Sequence, residues 1–125
     1  MPRECQLLSG AHVLIVEDDF LLLSDLEMIL LEGGAGRVDS CRTIEEALAR
    51  ANADDIEAAV LDVRVGHESI APVARQLAAR GIPFVFYTGQ VGNDRMIAEW
   101  PGCKIVSKPA QSQVIVAAIA ELLRH

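Results

Sequence analysis

Large rings are scarce in this chain: aromatic residues make up 4% of its 125 positions, although 51% are hydrophobic. A core built under that restriction rests on Leu, Ile, Val and Ala, a composition that suits an α/β protein. Cysteine is sparse too. Cys5, Cys41 and Cys103 are odd in number and contain no closely spaced pair, which argues against a disulfide framework or a zinc knuckle; they read as reduced structural thiols. Long apolar runs are missing, since charges interrupt each one well short of the roughly 20 residues a spanning helix needs, so no membrane segment is expected. The amino end, Met1-Pro2-Arg3-Glu4-Cys5-Gln6, has one basic residue and no apolar run leading to a small-residue cleavage site. It lacks the pattern of a secretion signal, and a cytoplasmic location is expected. Positive charge is in deficit, with 11 Lys and Arg against 18 Asp and Glu for a net charge of -7. Nucleic-acid binding depends on clustered basic residues that neutralise phosphates, so protein partners or a cation fit better.

What is present is a regular alternation. The length suits one domain, with residues 1–10 as an amino-terminal extension and 11–125 as the body. Val13 to Val16 is a short continuous apolar run, the signature of a strand buried on both faces, and it ends in Glu17-Asp18-Asp19. Leu22, Leu26, Ile29 and Leu30 then recur at helical spacing, with Gly33-Gly34 as a stop. Arg37 to Cys41 predicts a second strand. Thr43, with Glu46 three residues on, caps a helix whose stripe is Ile44, Ala47, Leu48 and Ala51. Ala58 to Leu61 predicts a third strand that delivers Asp62, followed by a helix over 70–80 that Gly81 ends. Phe84 to Tyr87 predicts a fourth strand delivering Thr88 and Gly89, and Lys104 to Ser107 a fifth delivering Lys108-Pro109; the last helix covers about Ser112 to Leu123. Strands alternating with helices predict a doubly wound parallel sheet.

In such a sheet, ligands bind beyond the carboxyl ends of the strands. The polar residues at those exits are Glu17, Asp18, Asp62, Thr88 and Lys108. Carboxylates gathered in one pocket repel one another unless some are protonated or a cation joins them. Mg2+ suits hard oxygen ligands and leaves positions for phosphate oxygens. A lysine would add neutralising charge, and the Thr88 hydroxyl could hydrogen-bond a phosphoryl oxygen.

The motifs Val16-Glu17-Asp18-Asp19, Leu61-Asp62-Val63, Phe86-Tyr87-Thr88-Gly89 and Lys108-Pro109, in this order and each at a strand end, resemble those of response-regulator receiver domains over nearly the whole chain. The resemblance implies a flavodoxin-like five-stranded sheet in the order 2-1-3-4-5 with helices on both faces. It also implies a free-standing signalling domain rather than an enzyme, working in a two-component or phosphorelay system. Asp62 would be the phosphoacceptor. Asp18 would bind Mg2+ directly, Glu17 through water or indirectly, and the backbone carbonyl of Arg64 would complete the metal's protein contacts. Thr88 would move toward the phosphoryl group, Lys108 would pair with it, and the Lys108–Pro109 bond would be cis. The implied partners are a sensor histidine kinase or histidine phosphotransferase and a downstream protein target. The implied output face is formed by the last helix, the fifth strand and a helix expected between the fourth and fifth strands.

Several residues carry plainer readings. Glu17 to Asp19 by themselves read as a solvated loop, and Asp19 as a helix cap. His67, without a second His or a Cys near it, reads as an ordinary loop residue, and Trp100 as packing before Pro101-Gly102. On the last helix, Ile115, Ala118, Ile119 and Leu122 face the sheet. Val116, Ala120 and Leu123 either offer a homodimer surface or widen the buried face. Leu21, Leu23 and Met28 form a similar apolar excess on the first helix, where a kinase or phosphotransferase helix could dock. The sequence departs from the family at three places. Val63-Arg64-Val65-Gly66-His67-Glu68 replaces the usual residues after the acceptor, Ile105 stands where an aromatic switch residue is expected, and Gln90 follows Thr88-Gly89. Phe86 to Gln90 is partly similar to the Phe-Ala-Thr-Gly-Tyr pattern of an alphaproteobacterial receiver subgroup, with Gln90 in place of its aromatic. Two rival readings remain. A Mg2+-dependent phosphohydrolase would need a second Asp where Arg64 stands, and a degenerate receiver would bind partners without phosphorylation.

Overall fold

The computed structural model describes residues 7–89 and 97–124, so the amino-terminal hexapeptide with Cys5, as well as Gln90 and His125, lie outside the described residues. Among the described residues, the chain runs β1 (His12–Val16), α1 (Phe20–Glu32), β2 (Arg37–Cys41), α2 (Ile44–Arg50), β3 (Ala58–Leu61), β4 (Arg64–Val65), β5 (Glu68–Ser69), α3 (Ala71–Ala79), β6 (Phe84–Thr88), β7 (Ile105–Ser107) and α4 (Ser112–Leu123). A short 3-10 turn, Ile97–Glu99, lies between β6 and β7. Five strands form one parallel sheet in the order β2-β1-β3-β6-β7. Renumbered without the small β4–β5 hairpin, that is the expected order 2-1-3-4-5.

Alternate residues of each strand face opposite layers. Leu14, Val16, Ala59, Leu61, Phe84 and Phe86 pack with Ile44 and Ala47 of α2 and Val73, Ala74 and Leu77 of α3. Val13, Ile15, Val60, Val85 and Val106 pack on the other face with Leu26 and Leu30 of α1 and Ile115 and Ile119 of α4. The scarce rings are concentrated in one place: Phe84, Phe86 and Trp100 meet edge to face at centroid distances of 5.5 to 6.3 Å. Trp100 is therefore a packing residue, as expected. Ile105, at the expected aromatic position, is partly buried against the same layer.

The helix ends follow local chemistry. Asp19 caps α1, its side chain accepting from the N–H groups of Leu21 and Leu22, which satisfies two of the donors a helix start leaves open. Thr43 caps α2 by accepting from the Glu46 N–H at 3.1 Å, while the Glu46 carboxylate accepts from the Arg42 N–H at 3.0 Å. Gly81 leaves α3 with φ +72, a left-handed conformation that suits glycine.

One expectation about helix faces is corrected and one open alternative is decided. Leu23 is buried in the core rather than lying beside Leu21 and Met28, which are exposed. Three consecutive leucines in a helix with many apolar residues left the periodicity unable to choose among them. Val116 and Ala120 of α4 are also buried within the chain, with Val116 packed beside Gly33, where a Cβ would meet its methyls at 3.0 and 3.1 Å. The second stripe of α4 therefore widens the core, and these two residues supply no dimer surface. At the amino end, Leu8 is fully buried, and the N–H groups of Leu8 and Gly10 donate to the carbonyls of Gly33 and Gly34. The described residues preceding Ala11 are thus part of the packed body. Among the described residues, no helix is long and apolar enough to cross a membrane.

Candidate phosphoacceptor and metal site

The carboxyl ends of β1, β3, β6 and β7 lie side by side through the register Val16↔Leu61, Leu61↔Phe86 and Thr88↔Ser107. Each residue following a strand is therefore delivered to the same rim. Glu17 follows β1, its N–H donating to the Cys41 carbonyl, and Asp62 follows β3, its N–H donating to the Val16 carbonyl. Both extend the ladder by one bond, which fixes where their side chains start. Glu17, Asp18 and Asp62 each present a carboxylate oxygen, and these oxygens lie within 4.8 Å of one another.

Lys108 stands between two of them. Its Nζ donates to Glu17 Oε1 at 2.7 Å and to Asp62 Oδ2 at 3.0 Å, and it lies 5.6 Å from the centre of the Tyr87 ring. The Lys108–Pro109 bond is cis, as expected, and the Lys108 N–H, which donates to the Thr88 carbonyl at 3.0 Å, ties the lysine's backbone to the end of β6. The Ala110 N–H donates to the Tyr87 hydroxyl at 3.3 Å, fastening the turn that follows.

The electrostatics follow from burial. Glu17 is 1% exposed, and its desolvation pushes the carboxyl up to about 7. Hydrogen bonds from Lys108 and from the Asp19 N–H pull in the opposite direction, and the neighbouring Asp62 charge adds to the rise. Burial alone would lower the Lys108 pKa, but its hydrogen bonds to Glu17 and Asp62 outweigh that and raise it. The lysine therefore keeps its proton and, among the described residues, is the cation bonded to both Glu17 and Asp62. Three hard oxygen donors with this shortage of positive charge form a donor set that fits a divalent cation of the Mg2+ kind.

The structure thus brings together Glu17, Asp18, Asp62 and Lys108. Thr88 ends β6 and is 2% exposed, its backbone tied to Lys108. Arg64 lies two residues beyond Asp62, at the start of β4, and is exposed. His67 is exposed in the two-residue turn of the β4–β5 hairpin. Cys41 is buried and Cys103 half-buried, both as free thiols pushed up to about 11 by burial, in keeping with a structural reading of these two. Two contacts escaped the sequence reading. One is the Tyr87 ring beside Lys108. The other is the Gly66 N–H, which donates to Asp18 Oδ2 at 2.9 Å across 48 residues. Only the glycine in an otherwise ordinary loop hinted at the second.

No family model and no curated protein matches the sequence. Solved structures do match. A response regulator receiver protein from Sinorhizobium medicae superposes with a TM-score of 0.82 at 24% identity, covering 94% of this chain and 97% of its own. A CheY-like receiver domain protein from Methanospirillum hungatei gives 0.82 at 22% identity, covering 93% and 95%. The receiver domain of the sensor histidine kinase PA1611 from Pseudomonas aeruginosa, with a magnesium ion coordinated in its active site cleft, gives 0.81 at 20% identity, covering 94% and 100%. In strand order and over nearly its whole length, this chain has the fold of the response-regulator receiver domains.

Proposed function

We propose that the chain is a phosphoacceptor signalling domain of a two-component or phosphorelay system, taking a phosphoryl group onto Asp62 from a sensor histidine kinase or histidine phosphotransferase. The observation that carries this reading is the gathering of Glu17, Asp18 and Asp62 around one rim of a receiver fold, with Lys108 bonded to two of them. Asp62 is the nucleophile. Its carboxylate forms a P–O bond as the P–N bond to the donor imidazole breaks, giving an acyl phosphate. Glu17, Asp18, Asp62 and the Arg64 carbonyl would hold Mg2+, which would offset negative charge on the carboxylates and the transferring group. Lys108, already against Asp62, turns its donors to the phosphoryl oxygens, and Thr88 contributes its hydroxyl.

Phosphorylation adds about two negative charges at Asp62. Because the backbones of Lys108 and Thr88 are bonded to each other, motion at one exit is felt at the next, across the β6–β7 edge of the sheet. Output passes from that edge by protein contact, as a shift between states of the domain. Hydrolase chemistry is less well supported, because Arg64 supplies no second carboxylate two residues after Asp62.

The test is intact mass after incubation with acetyl phosphate and Mg2+. A single phosphoryl adduct is expected in the wild type, not formed when Mg2+ is chelated before the donor is added, and absent from Asp62→Asn. A wild type that takes no phosphoryl group from acetyl phosphate or from a panel of kinases would instead make the domain a phosphorylation-independent binding module.

A further inference from the structure

The segment after Asp62, where the sequence departs most from other receivers, folds as a hairpin with Arg64 paired to Ser69 and Val65 to Glu68. Its turn is Gly66-His67. Gly66 has φ +65, a sign that L side chains rarely adopt, and His67 is not among the residues with positive φ. The base is rigid. Val63, Val65 and Ile70 are each at most 2% exposed, and the Ile70 N–H donates to the Val63 carbonyl at 2.9 Å. The tip, from Gly66 to Glu68, is exposed, and one polar group on it reaches back to the rim: the Gly66 N–H, on Asp18 Oδ2 at 2.9 Å.

We infer that this hairpin is the positioning element of the metal site, with the Gly66 amide fixing one oxygen of Asp18 so that the other is directed to the cation. The inference rests on the phosphoacceptor reading and adds a residue to it. Asp18 is held at two points, because its backbone carbonyl also accepts from Arg42 Nη2 at 3.4 Å. Without the hairpin, a partly exposed aspartate has free rotation about its side-chain bonds. With it, a hydrogen bond to the carboxylate selects one orientation. The turn must put its N–H, and not a carbonyl, toward the rim, and a left-handed residue at position 66 accomplishes that. Gly66 is thereby a specific requirement. An added Cβ meets nothing within 4 Å, so space is not what demands glycine; conformation is.

Three proteins test this by calorimetric titration with MgCl2 alone: wild type, Gly66→Ala and Gly66→Asn. Alanine resists positive φ, whereas asparagine adopts it far more readily. The Ala variant is expected to bind Mg2+ about tenfold more weakly. The Asn variant should stay within about twofold of wild type, since it restores the turn and its N–H. Phosphorylation by acetyl phosphate at subsaturating Mg2+ should follow the same order, and saturating Mg2+ should bring the three together. Equal affinity in wild type and a folded Ala variant overturns the positioning role and leaves the phosphoacceptor reading standing. A wild type with neither Mg2+ binding nor a phosphoryl adduct overturns that reading itself. Should Gly66→Ala fail to fold, the wild type still decides: the Gly66 amide resonance is expected to be slow to exchange and to shift saturably with Mg2+. A freely exchanging, unresponsive amide would refute the contact.

Discussion

Replacing Lys108 by Met removes the ammonium that Glu17 and Asp62 share while keeping an unbranched apolar stem beside Tyr87. Deleting one member of a buried ion pair costs about 3–5 kcal/mol when the remaining charge has no escape. Glu17 has one. Its carboxyl already lies near 7 with the lysine present, so at that pH it takes a proton at little cost. What remains is the loss of two charge-assisted hydrogen bonds, at 2.7 and 3.0 Å. A loss of about 2 kcal/mol is therefore expected at neutral pH. The pH dependence is sharper than the magnitude. Glu17 ionises near 4.5 in the unfolded chain and near 7 in the folded one, so its contribution to stability is full below 4.5 and declines until the pH passes 7. Without Lys108 the folded carboxyl rises further, and the decline continues. Above pH 7 the gap between variant and wild type should widen by roughly 1 kcal/mol per pH unit. Urea unfolding in EDTA at pH 6, 7 and 8 measures it. A gap that stays constant across this range, or a variant as stable as wild type at pH 8, would show that Lys108 does not compensate a buried carboxylate.

Three further perturbations probe the frame around the site. His12, buried at the start of β1, has its Nε2 at 2.5 Å from Asp39 Oδ2, and Asp39 also meets Arg50 at 2.8 Å. His12→Phe should cost about 2 kcal/mol in chemical denaturation, because a buried carboxylate loses one of its partners; an unchanged midpoint refutes the contact's importance. Gly36→Ala sets a Cβ at 2.5 Å from the Gly10 carbonyl oxygen, whereas a Cβ on Gly102 meets nothing within 4 Å. The first should lose about 2 kcal/mol and the second stay within about 0.5, and comparable melting temperatures would contradict that packing. Burial pushes the Cys103 thiol up to about 11, so its thiolate is rare at pH 8. Alkylation mapped to Cys103 by peptide mass should rise roughly tenfold per pH unit from 8 to 10, and a rate already at its plateau at pH 8 would exclude a depressed thiolate population.

These sites differ in how visible they were beforehand. The rim was legible because a parallel strand covered on both faces must be a continuous apolar run, so an acidic or basic residue at its end announces the exit. Glu17, Asp62 and Lys108 stand out in this way, and a single sheet topology was enough to bring them together. Leu23 was misassigned, and Val116 left between two readings, for the opposite reason. Their helices carry so many apolar residues that helical period alone selects no face, and the decision lies with distant partners such as Gly33. His12 shows the same limit, since its carboxylate partner is 27 residues away and nothing local distinguishes a buried, carboxylate-bonded histidine from a surface one. The hairpin is the most instructive case. Strands of two residues are too short for alternation to register, and Val-Arg-Val-Gly-His-Glu reads as a loop, yet three buried side chains make its base as firm as a strand. A rigid base carrying one directed N–H lets a solvent-exposed turn set the orientation of Asp18. Variation in this segment can thus retune the metal site while the residues at the strand ends stay unchanged.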